Sequence, residues 1–171
     1  VAVRTLLSGD SEVAENILNK YKSFFDSVTK DGKFEFTGIP DSFNAHDGKN
    51  VGYPDIASAA SIGLVILTYE AQKGEISEYH RMPKPIADWL VTMHKQYNEG
   101  GLRRHPQTEL ERAHPELKFK FAEPNAIVYA FLSAYSKTYK ETGVWDRLRG
   151  NKSEYEGTAK NIRSWLRETM W

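Results

Sequence analysis

The sequence predicts an all-α fold of α/α helical hairpins, in which buried inner helices are paired with amphipathic outer helices. Two stretches, 56–67 and 126–135, are apolar or small on nearly every face, which is typical of helices inside a protein. Three other stretches carry apolar residues on one face only, at helical spacing. Because outer and inner stretches alternate along the chain, we expect consecutive helices to pack as hairpins.

The first outer helix is predicted at about 11–29, with Asp10 or Ser11 as its N-cap and acidic residues in its first turn. A turn at 30–32 ends it, and weak alternation over 33–37 predicts a short extended segment. The one-sided stripe of the helix consists of Val13, Ala14, Ile17, Leu18, Tyr21, Phe24, Phe25 and Val28.

The first inner helix begins after Asp55, a residue type that caps helix N-termini. It ends at Gly74, a residue type that adopts the left-handed conformation of a C-cap at little cost. Small residues such as Ala60 and Gly63 let neighbouring backbones approach closely. The stretch is too short, and too rich in Ser and Gly, for a membrane span.

The remaining helices follow from the same signals. Pro83 and Pro85 mark the start of the second outer helix, the second inner stretch ends at Gly143, and the last outer helix is predicted at about 153–170. The apolar residues of the two outer stripes are Ile86, Trp89, Leu90, Met93 and Tyr97, and then Ala159, Ile162, Trp165, Leu166 and Met170.

Composition limits the partners and the chemistry. The 171 residues are predicted to form a single domain spanning 1–171. Lys and Arg total 23, as do Asp and Glu, so the zero net charge gives no support for nucleic acid or an anionic membrane as partner. The chain has no cysteine, so disulfides and thiolate chemistry are excluded while the compartment stays open. Because the chain begins at Val1, we expect a processed chain or a piece of a larger protein.

Local phrases recur at the ends of the inner and outer stretches. Inner stretches end in TYEAQKG from Thr68 and in TYKETG from Thr138, and an outer stretch with its turn reads IADWLVTMHKQYNEGGL from Ile86. These phrases resemble the six-hairpin (α/α) toroid superfamily of carbohydrate-active proteins. The resemblance implies a partial toroid of about two and a half hairpins, either a fragment of a larger toroid or a half closed by association.

An open helical-hairpin solenoid is the alternative fold. The separation of Gly74 and Gly143 is close to the length of two helical-hairpin repeats of about 34 residues each. The signature residues of tetratricopeptide repeats are not found at matching positions.

Two long polar loops, 38–55 and 102–125, lead into the inner helices, and the toroid resemblance implies that both open on one face. It also implies a hydrolase, lyase or epimerase of saccharides. For hydrolysis we predict Asp55 and Glu123 as the carboxylate pair, one protonating the leaving oxygen and the other activating water or attacking. His46 and His105, one from each loop, are predicted to assist as acid or base.

Structural roles are the alternative for each of these residues. Asp55 is then only an N-cap, Glu123 only complements the helix dipole, and the histidines are exposed loop residues. Asp41 and Asp47 are further acid or base candidates, and the alternative for each is a turn former. The predicted substrate-binding residues are Asp47, Tyr53, Arg103, Arg104 and Asn125, and the candidate stacking platforms for sugar rings are Phe43, Tyr53 and Tyr129.

The resemblance implies a saccharide or sugar acid as the partner. Arg103 and Arg104 match the carboxylate of such a sugar, and the alternative for them is a solvated charge pair. No cofactor and no metal site are predicted, because the spacing of His and carboxylate residues matches no metal-ligand motif such as HExxH. Self-association, or the remainder of a larger chain, would supply the missing hairpins. The second function hypothesis is a non-catalytic helical-hairpin scaffold for protein–protein interaction or self-assembly, which predicts an apolar exposed surface where hairpins are missing.

Overall fold

The structure is a computed structural model, and it describes residues 11–27, 29–30, 33–34, 38–41, 52–97, 100–106, 120–138 and 152–170. In these residues the fold is all-α, as the sequence predicts. The helices are α1 (Ser11–Ser27), α2 (Ile56–Lys73), α3 (Pro83–Tyr97), α4 (Ala122–Thr138) and α5 (Lys152–Met170). Gly143, predicted to end the second inner helix, lies outside the described residues.

A β-hairpin with two residues in each strand follows α1. Strand β1 (Thr29–Lys30) pairs antiparallel with β2 (Lys33–Phe34), with Thr29 opposite Phe34 and Lys30 opposite Lys33. The extended segment predicted from Lys33 is therefore present over these two residues. The predicted helix end at about 29 is two residues too late, because Thr29 and Lys30 take part in this pairing instead.

Helix α2 is the enclosed centre of the fold. The Asp55 Oδ1 atom accepts the backbone N–H groups of Ala57 (2.6 Å) and Ser58 (3.3 Å), which confirms the predicted N-cap. Gly74 has φ 70° and donates its N–H to the Glu70 carbonyl, which confirms the predicted C-cap. No residue from 56 to 70 is exposed, so the helix is covered on every side until its last turn.

Helix α4 packs closely against α2 because a glycine lies at their contact. A Cβ atom built on Gly63 would lie 2.3 Å from the nearest ring carbon of Phe131, which is fully buried on α4. Helices α4 and α5 form an antiparallel hairpin, since the Tyr135 ring near the end of α4 lies 5.3 Å from the Tyr155 ring near the start of α5. Tyr155 in turn donates its hydroxyl to Asp88 of α3.

Helix α1 covers the outer side of α2 and runs antiparallel to it. The Tyr69 hydroxyl near the end of α2 donates to Glu15 near the start of α1 (2.7 Å), and the Tyr79 hydroxyl donates to Asn19 (2.8 Å). The described residues of the predicted apolar stripes are buried or partly buried over the central turns of the outer helices. Two predicted stripe residues are exposed instead, Val13 (39%) and Met170 (62%), because both lie in terminal turns with less of the core beside them.

The N-termini of α2 and α4 lie at the same end of the molecule, joined by one short segment. The Asn125 side chain in the first turns of α4 accepts from Leu102 N (2.7 Å) and donates to Leu102 O (2.9 Å). Two residues later the Arg104 carbonyl accepts from Ile56 N (3.1 Å), the first residue of α2. Both predicted loops therefore contribute to this end. We call the residues Asp41, Tyr53, Asp55, Arg104 and His105 the polar end.

No helix among the described residues combines the length and apolar character needed to cross a membrane.

Candidate functional site

Asp55 is the buried centre of the polar end. Asp55 is 1% exposed, and its Oδ1 atom accepts hydrogen bonds from backbone N–H groups in the first turn of α2. Its Oδ2 atom accepts from Arg104 Nε at 3.0 Å, and the Arg104 side chain is 47% exposed. A buried carboxylate needs such partners to remain charged. Asp55 therefore joins loop 38–55, the start of α2 and the second loop at one point.

His105 is buried beside this carboxylate, with only 8% of its surface exposed. Its Nδ1 atom lies 3.2 Å from the Pro54 carbonyl oxygen. Because a carbonyl oxygen only accepts, Nδ1 carries the proton, and the other ring nitrogen, Nε2, carries the lone pair. Nε2 lies 3.9 Å from the Asp41 Oδ2 atom.

Asp41 and Tyr53 are held together by the backbone. Pro40 and Pro54 form an isolated antiparallel bridge, and Asp41 N donates to Tyr53 O at 3.0 Å. In return, Tyr53 N donates to Asp41 Oδ1 at 3.3 Å, which leaves Oδ2 on the side of His105. The Tyr53 ring lies edge-on to the His105 ring, with 6.4 Å between their centres, and Tyr53 is 42% exposed.

The electrostatics of the polar end are set by two carboxylates and one guanidinium. Asp41 and Asp55 are negative and Arg104 is positive, so the group carries a net charge of about −1 when His105 is neutral. Tyr21 on α1 faces the same region: burial raises the pKa of its phenol, and the negative charge of Asp55 raises it further. An imidazole, two carboxylates and a guanidinium are therefore present side by side.

Two predicted substrate-binding residues have structural contacts. Asn125 is fully buried, and its amide also donates to the Phe121 carbonyl (2.9 Å), so it fixes the segment 102–105 to α4. The Arg103 guanidinium lies over the Tyr97 ring, 4.3 Å from its centre, at the end of α3. Neither side chain is a member of the polar end as defined above.

The two predicted catalytic carboxylates lie in opposite environments. Glu123 is exposed in the first turn of α4, whereas Asp55 is buried in hydrogen bonds. Tyr129, the third predicted stacking platform, is partly buried against the core on α4. Three predicted residues, His46, Asp47 and Phe43, lie outside the described residues.

Among the predicted site residues, the structure thus brings together Asp41, Tyr53, Asp55, Arg104 and His105. A groove of about 480 Å³ lies at the other end of α2 and α4, lined by residues such as Gly74, Ile76 and Lys137, and none of its lining residues was predicted for the site. The Pro54 carbonyl that orients His105 was not predicted. A backbone acceptor has no signal in a sequence, because every residue carries one.

Comparison with protein-family models, with curated proteins and with solved structures finds no match for this chain. The function must therefore be argued from the polar end itself.

Proposed function

We propose that the polar end binds a saccharide or sugar acid and acts on it, as a hydrolase, lyase or epimerase of a partial six-hairpin (α/α) toroid would. The single observation that carries the proposal is that side chains from both long loops meet beside the N-terminus of α2 with an exposed aromatic ring among them. Carbohydrate sites combine these elements: an aromatic face for the apolar side of a sugar ring, and fixed polar groups for its hydroxyls.

Recognition is assigned to Tyr53 and Arg104, the exposed members of the group. The Tyr53 backbone is fixed by its pairing with Asp41, so the point from which the ring projects is set before a sugar binds. Arg104 is about half exposed, and its Nε is bound to Asp55, so its remaining N–H donors are oriented for a carboxylate or hydroxyl.

Proton transfer is assigned to His105 and Asp41. His105 has its tautomer fixed by Pro54, and Asp41 offers a carboxylate oxygen 3.9 Å from Nε2. Asp55 has a positioning role in this proposal, because its three hydrogen bonds connect the start of α2 to Arg104. Glu123, exposed in the first turn of α4, retains the predicted role of second carboxylate.

The test is saccharide binding measured by saturation-transfer NMR and titration calorimetry, with neutral oligosaccharides and uronic-acid oligosaccharides as probes. We expect binding of at least one class, and its loss in Tyr53→Ala. Ile76→Ala, an exposed side chain at the opposite end, is the control and should bind as the parent does. Absence of binding to both classes, or equal binding by Tyr53→Ala, would overturn the proposal.

A non-catalytic scaffold is the second candidate, and a separate observation favours it. Helix α4 exposes small apolar residues, Ala126 and Ala130, in line with Glu123 on one side. A further helix from a second copy or from another part of a larger chain would cover such a line closely. Light scattering tests this candidate: a solution mass above 19.5 kDa that falls in Ala130→Glu would support it.

A further inference from the structure

We propose that Asp41, Asp55 and His105 form a binding site for a divalent metal ion, with Zn²⁺ as the ion that fits their chemistry best. Each residue offers one ligand atom, and the three atoms all lie within 4.8 Å of one another. We call these three residues the Asp–Asp–His cluster. The inference goes beyond the proposed function, since it rests on these three side chains alone and needs no saccharide. With the ion bound, His105 and Asp41 are ligands, and water on the ion takes the acid–base role that the proposed function gives to these two side chains.

The other polar atoms of each residue are held by hydrogen bonds from outside the cluster. His105 Nδ1 donates to the Pro54 carbonyl, and a backbone carbonyl on the far ring nitrogen is the usual support of a histidine that binds metal through Nε2. Asp41 Oδ1 accepts from Tyr53 N, and Asp55 Oδ1 accepts from the backbone of α2. These contacts fix the orientation of all three side chains before any ion binds.

His105 and Asp41 turn two acceptor atoms towards each other. With its proton on Nδ1, His105 has its lone pair on Nε2, which lies 3.9 Å from the Oδ2 atom of Asp41. This separation is longer than a direct N–H···O hydrogen bond. A divalent metal ion is a partner that an imidazole nitrogen and a carboxylate oxygen can share.

The distances are compatible with this assignment. Ligands at about 2.0–2.2 Å from a tetrahedral Zn²⁺ lie about 3.3–3.6 Å from one another. The 3.9 Å between Nε2 and Oδ2 needs a movement of a few tenths of an ångström, and the 4.8 Å limit for the remaining pairs needs about 1 Å. Asp41 is exposed and can make the larger part of this adjustment.

The donor set decides the class of ion. Two carboxylates and one imidazole match Zn²⁺ or another first-row divalent ion better than Ca²⁺, which prefers six to eight oxygen ligands, or Mg²⁺, which keeps most of its water. Three protein ligands leave the fourth position of a tetrahedral ion for water. Such a water is acidic enough to supply hydroxide near neutral pH.

Arg104 limits the affinity. Its Nε lies 3.0 Å from Asp55 Oδ2, and the N-terminus of α2 adds positive potential at Oδ1. A carboxylate has about four acceptor positions, of which Ala57, Ser58 and Arg104 use three, so one remains for a metal. The net charge of about −1 at the polar end still favours a divalent cation, and Arg104 is exposed enough to shift away from it.

The experiment is a titration of the metal-free chain with Zn²⁺, followed by calorimetry and by the change in Tm, with no saccharide present. We expect one ion per chain and a Tm that rises with Zn²⁺ concentration. Asp41→Asn keeps the acceptor for Tyr53 N but removes the charge, and His105→Gln removes the imidazole. Each should weaken binding about tenfold or more.

The controls are two side chains of the same types outside the cluster. Glu168→Gln removes an exposed carboxylate near the end of α5, and His80→Gln removes a histidine whose Nδ1 also lies on a backbone carbonyl, that of Ser77 (2.7 Å). Both should bind Zn²⁺ as the parent does. Circular dichroism of every variant separates loss of the site from loss of the fold.

Co²⁺ in place of Zn²⁺ provides a readout that does not depend on stability. A tetrahedral site with a nitrogen ligand should give an intense visible absorption that disappears in His105→Gln and remains in His80→Gln. No Zn²⁺ binding by the parent, or equal binding by Asp41→Asn in a folded variant, would overturn the assignment. Metal binding without any saccharide binding would leave this site in place and remove the proposed function.

Discussion

Helices α2 and α4 have similar compositions, yet they differ in how far their surfaces are buried. Both carry long apolar runs with scattered serines and alanines, and both are predicted to be inner helices. In α2 no residue from 56 to 70 is exposed, whereas α4 exposes a line that includes Ala126 and Ala130. The same kind of sequence is thus enclosed in one case and open on one side in the other.

The difference comes from how the neighbours are placed. Among the described elements each helix has three helical neighbours, which are α1, α3 and α4 for α2, and α2, α3 and α5 for α4. The neighbours of α2 leave no residue from 56 to 70 exposed, whereas those of α4 leave one line uncovered. An apolar run shows that a helix tolerates burial on all sides, but it does not show that its neighbours cover every side. The prediction of buried inner helices is therefore confirmed for α2 and only partly for α4.

The largest expected effect is the difference in stability between a variant with a charge on α2 and a variant with a charge on α4. Ala60 on α2 is fully buried, so Ala60→Glu should lower the free energy of unfolding by about 4 kcal/mol or more, or prevent folding. Ala130→Glu lies on the open side of α4 and should change it by less than about 0.5 kcal/mol. Urea denaturation of both variants measures this contrast. Equal destabilisation would mean that the α4 surface is covered in solution.

The backbone of α2 is well predicted because its signals are local. Asp55 and Gly74 act on N–H and C=O groups within four residues of themselves, so their roles as caps can be derived from sequence. The end of α1 is less well predicted, because the choice between helix and strand at Thr29 depends on pairing with a segment that follows. Local propensity does not decide such a choice.

The candidate site is predicted in its residue types more than in its geometry. Asp55, His105, Tyr53 and Arg104 can be named as site candidates from the sequence, because they lie in two polar loops that lead into inner helices. The partner of each residue does not follow, because the contacts of Asp55 with Arg104 and of Pro54 with His105 join residues about 50 positions apart. No short-range pattern encodes contacts of that length.

The contact between the two helices gives the next largest effect. Gly63→Ala should destabilise the protein by about 1–3 kcal/mol, although alanine favours helix, because the new methyl group would overlap the Phe131 ring. Gly157→Ala on α5 is the matched control, since Gly157 is exposed and its Cβ would meet nothing within 4 Å. That variant should be stabilised by up to about 1 kcal/mol. Thermal unfolding of both proteins tests the prediction, and a stabilised Gly63→Ala would mean that α2 and α4 are less closely packed.

The smallest expected effect concerns α1, which covers one side of α2. The hydrogen bond from the Tyr69 hydroxyl to Glu15, followed by burial and the charge of Glu15, raises the pKa of Tyr69 to about 12. Tyr69→Phe removes this bond between α1 and α2 and should lower the free energy of unfolding at pH 8 by less than about 1 kcal/mol. Amide hydrogen exchange in Tyr69→Phe should then accelerate more in α1 than in α5, relative to the parent.

The raised pKa also fixes the direction of the pH dependence. The unfolded chain loses the Tyr69 proton near pH 10 and the folded protein near 12, so the stabilisation is complete below pH 10 and is lost as the pH rises towards 12. The parent should therefore lose its advantage over Tyr69→Phe between pH 8 and pH 11 in urea denaturation. Tyr53→Phe, at the other end of α2, is the control and should follow the parent. A constant difference between parent and Tyr69→Phe across this range would show that the hydroxyl of Tyr69 does not hold α1 in place, and that other contacts enclose α2.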